Sequence, residues 1–209
     1  MTLSLNEADA LAKKAVRGAG YPWGMAEEAG KAVRWLCHNG VDGCASLGRM
    51  LEQLDGKDMK DLRPDLSGGG WSASGGPLCP LAAGTALADM APALGHGAIT
   101  MNALVEPLLI LPFAAAAALQ LEQSVTLQSE DWTASTDGHK LVSSGPIVRN
   151  GIAVIRLSTG FENPRPQRTR AAPNSRAFEI LNRFAHRTYA PATEASRLKG
   201  AGAGTSDND

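Results

Sequence analysis

Apolar residues recur at helical spacing through the first quarter of the chain. Leu5, Ala8, Leu11, Ala12 and Ala15 fall on one face of a helix that Ser4 and Glu7 open as a capping box and that Gly18 and Gly20 stop. After the turn Tyr21-Pro22-Trp23-Gly24, the residues Ala29, Ala32, Val33 and Leu36 mark the buried stripe of a second helix over residues 25–38, closed by Asn39-Gly40. Asp42 is placed to cap a third helix with Leu47, Met50, Leu51 and Leu54 inward. Residues 1–54 are therefore expected to form a small helical unit.

The pattern breaks over residues 55–77. This stretch begins charged, with Asp55, Lys57, Asp58, Lys60 and Asp61, and ends as SGGGWSASGGP. That is the composition of a polar Gly/Ser-rich connector, with Trp71 as its one large anchor. The following LCPLAAGTALADMA puts Pro80 at the first position of a helix and Cys79 at its N-cap. Residues 103–121 stay open between helix and strand, because Pro107 and Pro112 interrupt a helix while the alanine run lacks the β-branched residues of a strand. Alternation then sets in. Val125, Leu127, Trp132 and Ala134 alternate with polar residues, Asp137-Gly138 is a hairpin turn into residues 140–144, and residues 152–157 are a further apolar strand. A Pro/Arg-rich loop at residues 163–173 leads to a last helix, opened by Asn174 or Ser175 and ending near His186, with Phe178, Leu181 and Phe184 or Ala185 inward. Hairpin-linked strands with flanking helices predict an α+β fold, an N-terminal helical unit followed by helices packed on a mainly antiparallel sheet. Residues 78–209 are then an α+β body with an ordered C-terminal tail, and the whole chain is one domain.

Composition narrows the function classes. The formal net charge is −1 over 209 residues, so the basic excess usual for a nucleic-acid partner is missing. Three cysteines, an odd number in no zinc spacing, read as reduced thiols. The opening MTLSLNE has neither the basic nor the apolar region of a signal peptide. The longest uncharged apolar run, residues 108–119, has 12 residues and contains Pro112, short of the roughly 20 a membrane-spanning helix needs. The expectation is a cytoplasmic protein without a membrane span, and no cofactor motif is evident.

The opening LSLNEADALAKKAVRGAGYPWGMAEEAGKAVRWL, the middle GPLCPLAAG and the end TYAPATEASRLKGAGAGTSDND resemble an uncharacterised bacterial family known only as a domain of unknown function. The resemblance implies a bacterial, cytoplasmic protein and supplies no chemistry. The first 50 residues are also similar to the helical N-terminal region of the type-2 malate/lactate dehydrogenases, which implies a dehydrogenase-related protein, although no counterpart to the rest of that family is visible.

Candidate chemistry gathers in three places. Cys79 at a helix N-terminus meets free N–H groups and the positive end of the helix dipole, the setting that activates a nucleophile; filling space in a core is the plainer role for such a cysteine. His96, between two glycines, is placed like an exposed general base or is an ordinary turn residue. In the C-terminal segment Thr193, Glu194, Ser196 and Arg197 combine hydroxyls, a carboxylate and a guanidinium suited to gripping a carboxylate or phosphate. The GAGAG run matches neither phosphate-loop spacing, and Asp207 and Asp209 repel an anion there, so arginines of the same or a neighbouring subunit suit this acidic end better than a metal. Cys37, His38 and Cys44 lack the spacing and fourth ligand of a zinc site and read as structural.

The leading expectation is a hydrolase or lyase of small-molecule metabolism acting on a carboxylate- or amide-bearing compound. Cys79, Glu194 and His96 would be catalytic, and Thr193, Ser196, Arg197 and Trp71 would bind substrate. The alternative is a non-catalytic oligomeric or accessory subunit whose C-terminal tail docks on a partner.

Overall fold

The computed structural model describes residues 1–189. The helices start where the sequence places their caps. In α1 (Leu5–Gly18) the Ser4 hydroxyl accepts from the Glu7 amide at 3.1 Å, and the Glu7 carboxylate accepts from the Ser4 amide at 2.6 Å. In α3 (Gly43–Leu54) Asp42 accepts from the Ala45 amide at 2.9 Å, and α2 (Trp23–His38) lies between them. In α6 (Ser175–His186) the Asn174 side chain accepts from the Ala177 amide at 2.9 Å. The chain also forms α4 (Pro80–Asp89), with Pro80 at its first turn, and α5 (Leu111–Leu121).

The fold is α+β. Strands β2 (Ile99–Val105), β3 (Val125–Ser129), β4 (Trp132–Thr136), β5 (Leu141–Ser144) and β6 (Asn150–Leu157) form one antiparallel sheet in the order β2-β6-β3-β4-β5. The β4–β5 hairpin turns at Asp137-Gly138, where one Asp137 carboxylate oxygen accepts from the His139 and Lys140 amides. Helix α5 packs on β3 and β4 and covers the face that buries Leu127, Trp132, Ala134 and Ile155. Strand alternation puts Thr126, Gln128, Thr133, Ser135, Ile152 and Arg156 on the opposite face.

Residues 103–121, ambiguous in sequence, divide between three elements. Strand β2 runs through Val105, a short 3-10 turn follows at Pro107–Ile110, and α5 begins at Leu111 with Pro112 in its first turn. The connector does not float free. A 3-10 turn at Met59–Leu62 is followed by chain laid along the outer edge of β2, where the Trp71 amide donates to Thr100 O at 2.7 Å and the Leu78 amide to Ala103 O at 2.9 Å.

Helix α6 returns to the N-terminal helices, packing on α1 and α3, and β7 (Arg170–Ala171) pairs antiparallel with β1 (Leu3–Ser4). The segment read as the body therefore contributes two elements to the helical layer. Helices α4 and α5 also meet closely, since a Cβ on Gly84 would lie 2.2 Å from Phe113 Cδ2. Gly84→Val is expected to lower the unfolding free energy by about 1–3 kcal/mol, read from urea denaturation, because a filled contact cannot take extra methyl groups without displacing the ring.

Candidate functional site

Cys79 takes the N-cap position of α4 and is 0% exposed. Its Sγ lies 3.7 Å from the hydroxyl of the equally buried Tyr21. Burial pushes the thiol up, opposed in part by the Ala82 and Leu81 amides and the Tyr21 hydroxyl. The positive helix end is therefore outweighed by the cost of a thiolate in an apolar interior. Trp71 is 6% exposed and its backbone extends the sheet edge. His96 is exposed at the end of the 3-10 turn Ala91–Gly95. None of the three lines the concavities described below. Thr193, Glu194, Ser196 and Arg197, with the Gly-Ala run and acidic end, lie outside the described residues.

The glycine-rich loop has a packing reason. The Gly75 amide donates to Asp61 O at 2.8 Å, and a Cβ on Gly75 would stand 2.7 Å from that oxygen. The space beside Gly75 is filled by the chain itself. Cys37 and Cys44 meet where α2 ends and α3 begins, both buried. The proximity of the two thiols, together with burial, pushes Cys44 up. Among the described residues no group of three or more His, Cys, Asp or Glu is placed to hold a metal ion.

Two concavities are each lined by more than one arginine. One of about 560 Å³ lies where the end of α1, the start of α2 and the end of α6 converge, lined by Lys13, Lys14, Arg17, Trp23, Arg187 and Thr188 among others. Trp23 is 67% exposed, and the Arg17 guanidinium sits 4.7 Å from its ring centroid while donating to the Tyr21 carbonyl. Lys13 pairs with Asp9 at 2.8 Å, and Arg187 grips Asp55 with both terminal nitrogens at 2.7 and 2.8 Å. The other, about 260 Å³, is bounded by Arg49, Glu52, Arg149, Asn174 and Arg176. At its wall Arg49 holds the buried Glu106 carboxylate through two hydrogen bonds of 2.6 and 2.8 Å, and Glu106 has left-handed backbone, φ 46°.

Neither concavity was evident from apolar periodicity. Lys13, Lys14 and Arg17 occupy the polar side of α1, and Arg187 joins them only because α6 folds back. Glu106 carried one local sign, an acid directly before Pro107 in an apolar stretch.

Much of the larger concavity lies in a segment similar to a known family. Residues 3–79 match a family model. The matching family model is described as Protein of unknown function (DUF3726). The DUF3726 segment holds α1 to α3, the edge segment with Trp71, and Cys79 as its last residue. Lys13, Lys14, Arg17 and Trp23 fall within it, whereas Arg187, Thr188 and the five-stranded sheet lie beyond. No curated protein matches the chain. No helix among the described residues is long and apolar enough to cross a membrane.

Proposed function

We propose that the protein is a non-catalytic cytoplasmic accessory subunit, working by binding within a homo-oligomer or with a partner subunit, rather than a Cys79-dependent hydrolase or lyase. The observation that carries this reading is the burial of Cys79, 0% exposed with its thiol against Tyr21 and raised by desolvation. A nucleophile needs thiolate and access to substrate, and this environment disfavours both. In the core Cys79 acts as a small apolar residue that ends the edge segment and starts α4, its amide donating to Leu62 O at 3.0 Å.

Iodoacetamide labelling with peptide-level mass spectrometry tests the reading. Native Cys79 is expected to react at least about 100-fold more slowly than in the denatured chain at the same pH, since alkylation must wait for opening of the fold. Native labelling as fast as in the denatured chain would restore the nucleophile. Light scattering provides a second check, with a mass above the monomer, or a stable partner co-purifying, expected for an accessory subunit.

A further inference from the structure

We propose that the concavity between α1, α2 and α6 is a binding site for a small aromatic phosphate monoester, the phosphate held by Lys14, Arg17 and the start of α2 and the planar group lying against Trp23. This does not depend on whether Cys79 is reactive.

The argument begins with an imbalance between donors and acceptors. Helix α2 is 16 residues long and has Pro22 at its N-cap, with no side-chain hydrogen bond there. Its first paired amide is Ala26, which donates to Pro22 O at 3.1 Å, and the Trp23, Gly24 and Met25 amides have no partner among the described residues. A Cβ on Gly24 would meet nothing within 4 Å, so that side of the backbone is open. Such a terminus presents aligned donors and about half a positive charge. The two helix ends opposite are different. The last carbonyls of α1 accept from the Ala19, Gly20 and Tyr21 amides, and those of α6 from the Arg187 and Thr188 amides and the Thr188 hydroxyl. Of the α2 start, Trp23 lines the concavity, so its unpaired amide stands beside the basic side chains, an arrangement that suits an anion.

Charge count sets the ligand class. Among the described residues no carboxylate lines the concavity. Lys13 and Arg187 are neutralised by Asp9 and Asp55, whereas Lys14 and Arg17 have no ion-pair partner among the described residues. Two cations unpaired among the described residues and the α2 N-terminus, set against the C-termini of α1 and α6, leave roughly one and a half positive charges, which a phosphate monoester of about −1.5 to −2 matches better than a single carboxylate. Arg17 is held in place by the Tyr21 carbonyl and the Trp23 ring, so little guanidinium freedom is lost on binding. Trp23 supplies the second half of the recognition. A tryptophan left 67% exposed beside charged groups offers a flat apolar surface that a second planar group can cover.

The test uses the full chain titrated with phenyl phosphate, inorganic phosphate and benzoate, followed by calorimetry and by the fluorescence of Trp23. Of the four tryptophans, Trp71 and Trp132 are buried and Trp35 is half-buried, so a ligand stacking on Trp23 changes the most exposed emission, a change that Trp23→Leu removes. Phenyl phosphate is expected to bind at least about tenfold more tightly than either other probe, as it alone combines charge with a ring. Trp23→Leu should abolish the advantage over inorganic phosphate without abolishing phosphate binding. Arg17→Gln and Lys14→Gln should each weaken phenyl phosphate by about tenfold, the loss of one charge-assisted contact. Lys14 makes no hydrogen bond among the described residues, so its variant reports on the site even where Arg17→Gln perturbs the turn at Tyr21. Equal affinity for phenyl phosphate and benzoate, no effect of Lys14→Gln, or affinity for a short oligonucleotide that grows with its length would each overturn the proposal.

Discussion

Replacing Arg49 with methionine is expected to lower the unfolding free energy by about 3–5 kcal/mol, the usual effect of removing one partner from a buried ion pair. The Glu106 side chain is 2% exposed and takes both strong hydrogen bonds of its carboxylate from Arg49. Its main chain is equally constrained. The Glu106 amide donates to Arg149 O at 2.6 Å, its carbonyl accepts from the Leu109 amide, and its backbone is left-handed directly before Pro107. The carboxylate therefore cannot swing out to water without breaking the junction between β2 and the turn into α5. Arg49 keeps a third of its side chain in solvent, which favours the lower half of the range. Urea denaturation followed by circular dichroism measures the effect. The double variant Arg49→Met/Glu106→Met is expected to recover much of the loss, because no charge is then left unpaired in the core. A loss below about 1 kcal/mol for the single variant would show that Glu106 relaxes to solvent after all.

Phe184→Ala should cost a similar amount, about 3–5 kcal/mol, or roughly 6–20 °C in Tm for a chain of this size. Phe184 is fully buried on the face of α6 that meets α1, and the Arg187 guanidinium lies 4.3 Å from its ring centroid. The contact has little room to close over a cavity, because the backbones are already as near as they can come. A Cβ on Gly18 would fall 1.8 Å from Phe184 O, so α1 and α6 touch through a glycine. Differential scanning calorimetry is expected to show one transition, shifted as a whole, since α6 joins the N-terminal helices to the chain leaving the sheet. Two resolved transitions, with only the earlier one displaced, would show that the helical layer and the sheet unfold separately.

How legible the protein was in its sequence depended on the range of the interaction. The capping box at Ser4 and Glu7, the caps at Asp42 and Asn174, and the Asx contacts of the Asp137-Gly138 hairpin all join residues two or three apart. Such contacts form before any tertiary context exists, so the helices other than α5, the hairpin and the α+β class could be read from spacing alone. Cys79 takes the N-cap position of α4 that its place before Pro80 marked, and Trp71 lies in the segment along β2. Their burial was not visible, because it follows from backbone bonds to Thr100, Asn102 and Leu62, up to 31 residues away.

Tertiary structure alone decided residues 103–121 and both concavities. The left-handed backbone at Ala103 and Glu106 goes against the local preference of either residue, and it is held by bonds donated by Leu78 to Ala103, by Glu106 to Arg149, and by Arg49 to the Glu106 carboxylate. The sequence determined which face of α1 is apolar. It could not determine that Lys13, Lys14 and Arg17, on the polar side, would face Arg187 from the end of α6, because periodicity records what each helix buries and carries no information about which solvated faces are brought together.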